Sequence, residues 1–137
     1  MKWIKTAPLA IALILPAVPI GAAPPRAVPV EVGGSAEWDA CGSLGEVRGL
    51  KVGGDGFLAV RAGPGADYAM LDRLGNGRQV YVCATRGRWI SIVYAAADSN
   101  AGEAGCGVSS AIAKARVYPG PCKSGWVHSS WIEIIAG

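Results

Sequence analysis

Between residues 45 and 137, apolar side chains recur at every second position in short runs, and turn residues break the runs about every eight to twelve positions. That is the period of half-buried strands, not of helices. Residues 57–61 (FLAVR) set Leu58 and Val60 on one face. Residues 78–84 (RQVYVCA) set Val80 and Val82 inward, with Tyr81 and Cys83 on the opposite face. Residues 89–94 (WISIVY) answer them as a hairpin partner across Arg86-Gly87-Arg88. Residues 46–50 predict a first strand and residues 68–74 a strand or an irregular crossing. Residues 125–128 and 132–135 are the last strand material, with a bend or short 3₁₀ turn at Ser129-Ser130-Trp131. Gly53-Gly54-Asp55-Gly56 and Gly75-Asn76-Gly77 mark further turns. At Gly63-Pro64-Gly65 the proline presets φ, and Gly65 permits the positive φ of a sharp turn. The expected inward set is Leu58, Val60, Leu71, Leu74, Val80, Val82, Ile90, Ile92, Val127, Ile132 and Ile134.

The pattern differs at the start and lapses in the middle. Residues 1–23 read as a secretory signal: Lys2 and Lys5 form the charged start, residues 7–15 (APLAIALIL) the apolar stretch, and Gly21-Ala22-Ala23 the small residues at which cleavage is expected. The apolar stretch falls short of the ~20 residues a membrane span needs, and Pro16 and Pro19 interrupt it. A secreted or periplasmic product without stable membrane insertion is the expectation. Residues 24–40 are rich in Pro and Gly and predict a flexible linker. Residues 95–124 hold small and polar side chains, with one helical turn expected at residues 111–114. So long a connection inside a small domain is unusual, but it contains Cys106 and Cys122, which would pin it.

Composition narrows the function classes. A chain of 137 residues is one domain with leader and linker. Its 13 Lys and Arg face 10 Asp and Glu, and without Lys2 and Lys5 the balance is 11 to 10. That charge is too weak to draw the chain onto nucleic acid or an acidic membrane. Twenty glycines favour a turn-rich all-β domain over a helical bundle. Cys41, Cys83, Cys106 and Cys122 predict two disulfides with three possible connectivities. With one histidine and no C-x-x-C spacing, no standard zinc site is expected, and no other cofactor. A hydrolase using a Cys or Ser with His128 has little material: no G-x-S-x-G turn is present.

Five separated motifs agree in order and spacing with one family. FLAVRAGPGADYAMLDRL (residues 57–74), GNGRQVYV (75–82), RWISI (88–92) and SGWVHSSWI (124–132) resemble a bacterial SH3-like domain (SH3b), with an apolar-x-Val-Arg-small-Gly-Pro run, a Leu-x-x-Gly turn, a Val-x-Val strand, a Trp strand and a closing Gly-Trp-Val. The resemblance spans residues 47–135. It implies a small barrel of five to six short antiparallel strands within residues 41–137. It also implies a non-enzymatic, monomeric module that recognises cell-wall peptidoglycan or peptide segments as an adaptor or wall-associated protein. Residues 95–124 and the cysteines depart from the family pattern. The preferred pairs are Cys41–Cys83, tying the start of the domain to a central strand, and Cys106–Cys122, closing the insertion; Cys83 with Cys122 stays open. The expected ligand contacts are Asp67, Tyr68, Trp89, Trp126 and His128. The alternative is an inhibitor of a wall hydrolase that inserts its disulfide-closed loop into the partner.

Overall fold

Both faces of the strand WISIVY are apolar, and the fold follows from burying both. The computed structural model describes residues 2–18, 21–53, 56–96 and 105–137. Eleven strands lie among them: β1 (Glu31–Val32), β2 (Ser35–Asp39), β3 (Ser43–Val47), β4 (Leu58–Arg61), β5 (Met70–Leu74), β6 (Gln79–Arg86), β7 (Trp89–Tyr94), β8 (Ala111–Ile112), β9 (Arg116–Val117), β10 (Lys123–His128) and β11 (Ile132–Ala136). A 3₁₀ turn, Ser129–Trp131, joins the last two. Seven strands form one antiparallel sheet in the order β11-β3-β6-β7-β10-β4-β5, while β1 pairs with β9 and β2 with β8. The chain leaves the sheet at Tyr94 and re-enters at Lys123 directly opposite, and β7 and β10 then stay in register to Trp89 and His128.

One face of the sheet carries Val47, Leu58, Val60, Leu74, Val80, Ile90, Ile92, Tyr94 and Val127 as a first core. The other carries Val93 and Trp126, covered by Val30, Val32, Ala40, Cys41, Cys106 and Val108 as a second core. The side-chain period of two divides β7 between them: Ile90, Ile92 and Tyr94 go one way, Trp89 and Val93 the other. A sheet covered on both faces reads as a continuous apolar run. Gly125 sits where β10 crosses close to β4; a Cβ there would overlap Val60 Cγ1 and reach to 3.0 Å from the Arg61 carbonyl.

Five expectations change. The sheet is antiparallel and all-β, but it is not closed into a barrel: β11 and β5 end the strand order and do not pair with each other. It also has more strands than the five or six expected. Residues 28–40 do not form a loose linker. Val28, Val30 and Val32 alternate inward, Val28 N–H donates to Ala62 O at 2.8 Å, and Tyr118 N–H donates to Val30 O at 2.8 Å. The apolar second face of the sheet needs a cover, and this period-two valine run supplies part of it. Residues 111–112 form a strand rather than a helical turn, because β2 offers them a ladder partner. Leu71 and Ile134 are 58% and 51% exposed, since each lies on an edge strand with a register shift in its ladder.

Residues 2–18 and 21–27 contain no helix or strand and are exposed. Among the described residues no helix is long and apolar enough to cross a membrane. Pro19, one of the two prolines expected to interrupt the apolar stretch, the Gly54-Asp55 part of a turn, and residues 97–104 of the insertion lie outside the described residues.

Candidate functional site

Two disulfides fix the cover over the second face. Cys41 bonds Cys83, and Cys106 bonds Cys122; no described cysteine is free. Both are bonds that an oxidising compartment sustains. Backbone hydrogen bonds add to them: Cys41 N–H donates to Val108 O at 3.1 Å and Ala40 N–H to Ser110 O at 2.9 Å. The Tyr118 hydroxyl donates to Cys106 O at 2.7 Å and accepts from Cys122 N–H at 3.1 Å, so it bridges the two ends of the smaller disulfide loop.

At one end of this cover the β7–β10 ladder carries an aromatic group. Trp89 and His128 are cross-strand partners, and their rings meet edge to face at 5.5 Å and 79°. Both are half-buried. His128 Nδ1 accepts the Ser130 N–H at 3.2 Å, which leaves Nε2 as the ring's remaining polar atom. Trp126 lies two residues back on the same face, 3% exposed, with its indole N–H donating to Val28 O at 2.8 Å. The Arg86 guanidinium stands over the Trp126 ring at 5.4 Å, a contact of about 0.5–1 kcal/mol at an exposed position.

Beside Trp126 lies a cleft of ≈ 80 Å³ lined by Pro29, Glu31, Ala84, Thr85, Arg86, Ser91 and Trp126. Ser91 is the buried polar residue in it: it is 1% exposed, and its hydroxyl has no hydrogen-bond partner. A buried hydroxyl left unpaired costs about 1–3 kcal/mol. A wider, more open basin of ≈ 640 Å³ lies between Leu50, Lys51, Phe57 and Trp131, but no unpaired buried polar group lines it among the described residues.

A second polar cluster sits on the opposite side of the sheet. The Tyr94 hydroxyl donates to Asp72 Oδ2 at 2.9 Å, and Lys123 Nζ reaches the same oxygen at 3.3 Å. Burial alone pushes the Asp72 carboxyl up. The Arg73 N–H, the Tyr94 hydroxyl and the Lys123 ammonium outweigh it and hold the group below its ordinary value. Burial, and then the Asp72 charge, push the Tyr94 phenol well above its ordinary value. Arg78 lies over the Tyr94 ring at 5.9 Å and donates to Ala95 O at 2.8 Å. These groups satisfy one another beside the first core. Among the described residues no three His, Cys, Asp or Glu side chains are placed to hold a metal ion.

Of the five residues expected to contact ligand, the fold brings Trp89, Trp126 and His128 together and sets Asp67 and Tyr68 apart, on the β4–β5 connection. The Tyr68 ring packs over Gly63, where a Cβ would overlap it, and Arg61 Nη1 donates to Tyr68 O at 3.2 Å. Glycine is required at residue 63 by this close approach; Gly65 does not take the positive φ expected of it. Asp67 is exposed. Glu31 and Ser91 were not among the expected site residues. Ser91 had a visible signal, a lone polar residue inside an apolar strand. Glu31 had none, because its position depends on residues 28–32 docking. Comparison of the chain with protein-family models, with curated proteins and with solved structures finds no match in any of the three.

Proposed function

We propose that the chain is a non-enzymatic binding module of the periplasm or cell exterior, related to the SH3-like domains, that recognises peptide segments of the cell wall. The observation that carries this reading is the aromatic end of the β7–β10 ladder: half-buried Trp89 and His128 edge to face, with Arg86 over Trp126 beside them. Such a surface offers flat apolar area, a cation and imidazole hydrogen bonding without a paired nucleophile and base. The signal-like start and the two disulfides support an exported protein, and the five motifs in order support the SH3-like relation. The inhibitor reading ranks second. Cys106 and Val108 are buried in the second core, and β8 and β9 pair with β2 and β1, so the described part of the insertion serves as a layer of the fold.

The test is co-sedimentation of the oxidised protein with purified cell-wall sacculi at moderate salt. Retention is expected, with Trp89→Ala reducing it about tenfold while circular dichroism stays unchanged, since a stacking side chain at such a site is worth about 1–3 kcal/mol. Failure of the wild-type protein to sediment with sacculi refutes wall recognition.

A further inference from the structure

The cleft beside Trp126 has chemistry that the aromatic end alone does not explain. Strands β1 and β6 and the residues before β1 meet there. Pro29 and Ala84 supply apolar walls, Glu31 an exposed carboxylate and Arg86 an exposed guanidinium. Neither charge has an ion-pair partner among the described residues. Ser91 is the cross-strand neighbour of both Trp126 and Ala84, so its side chain faces the same side as the indole, and its hydroxyl is buried and unpaired. A hydroxyl both donates and accepts.

The geometry points to this cleft as a site for the amino-acid head group, an ammonium and a carboxylate on one small carbon. Four features select it. The volume, ≈ 80 Å³, admits a few heavy atoms and excludes a sugar ring. Arg86 pairs with the carboxylate in a charge-assisted contact. Glu31 pairs with the ammonium. The Ser91 hydroxyl gains the partner it lacks by donating to the carboxylate. A simple anion would leave Glu31 facing it, and a simple cation would face Arg86, so each is disfavoured by the opposite wall. The head group occurs free, as alanine, and at the side-chain ends of wall peptides. The inference deepens the wall-binding reading and rests on it only for that second source.

The experiment is a titration of the ¹⁵N-labelled, oxidised protein followed at the Trp126 indole N–H and the Ser91 amide. The probes are D- and L-alanine, then N-acetylalanine and alanine amide, which each lack one charge, then soluble wall muropeptides with free or acetylated amines. Saturable shifts with alanine are expected, and binding weaker by at least about tenfold with either blocked analogue. Ser91→Ala should fold with an unchanged or raised Tm and bind about tenfold more weakly, and Arg86→Gln should weaken binding as much. Absence of saturable shifts with alanine and with muropeptides overturns the inference, as does equal binding by the blocked analogues or by Ser91→Ala. Sacculus retention without any head-group response removes this site and leaves the wall reading. Alanine binding without sacculus retention keeps the site and removes the wall as its source.

Discussion

Removing the smaller disulfide should loosen one layer of the molecule and spare the other. The perturbation is Cys106→Ala together with Cys122→Ala, alanine being chosen because Cys106 packs in the second core. The two cysteines are 16 apart in sequence, and closing a loop of that size removes about 3 kcal/mol of unfolded-state entropy in the chain model. A domain of this size is stable by about 5–15 kcal/mol, so the variant should stay folded. The loss falls on the bonds that the insertion makes: Cys41 N–H to Val108 O, Ala40 N–H to Ser110 O, Gly34 N–H to Ile112 O and Tyr118 N–H to Val30 O. Tyr118, hydrogen-bonded to both ends of the loop, retains part of the closure. Native-state hydrogen exchange measures the effect site by site. A loss of 3 kcal/mol is about a hundredfold in exchange rate, expected at Cys41, Ala40, Gly34 and Tyr118. Amides in the β7–β10 ladder should change much less. Equal loss of protection in both sets would show that the layers unfold as one unit. No change in the first set would show that the insertion is held without its bridge. Either result refutes the two-layer account.

Two further outcomes follow from the packing. The Asp72 carboxyl is held below its ordinary value, so its contribution to stability is complete above about pH 4 and is lost as pH falls through the lower folded-state value. Thermal melts in acid should therefore show Tm falling more steeply for wild type than for Asp72→Asn, and Tyr94→Phe should cost about 1.5 kcal/mol near neutrality and shift the acid transition upward; an unchanged acid profile in both variants would count against the cluster. Gly125→Ala should destabilise by about 1–3 kcal/mol in urea titrations, because its methyl group meets Val60 and the Arg61 carbonyl. A neutral result would mean that β10 and β4 separate without cost.

Much of the sheet was legible because local chemistry and long-range packing agree there. The glycine between Arg86 and Arg88 and the alternation on either side define the β6–β7 hairpin, and the same alternation sends Tyr81 and Cys83 to the face opposite Val80. On that face Cys83 bonds Cys41, but Cys106 and Cys122 share the same core, so the direction of Cys83 alone left its pairing with Cys122 open. The second core was not legible. Val28, Val30 and Val32 have strand period, but Pro24, Pro25 and Pro29 and the glycines at residues 33 and 34 give the segment the composition of a linker. A linker and a docked cover strip differ only in whether an apolar face exists to receive them. That face is built from Val93 and Trp126, which lay outside the expected inward set because β7 was read as having one buried side. The pairing of Tyr94 with Asp72 was hidden for the same reason: it crosses 22 residues and two strands. Tyr68 looked like a surface aromatic after a turn, and it is instead the side chain that the glycine at residue 63 makes room for.

The cleft lies on the seam between the two layers. Arg86, Ser91 and Trp126 belong to the seven-stranded sheet, whereas Pro29 and Glu31 belong to the segment that covers it. The cleft therefore exists only while that segment is docked. Docking depends on β1 pairing with β9, on Val28 bonding both Ala62 and the Trp126 indole, and on the disulfide that holds the insertion from which β9 comes. A ligand touching both sides of the seam binds the docked state alone, so it stabilises the cover in proportion to its concentration over Kd. The insertion thus has a physical reason to be long and bridged. It holds Glu31 over Arg86 and Ser91, a task that short turns in the sheet do not perform, and it couples what the cleft binds to how firmly the second layer is closed.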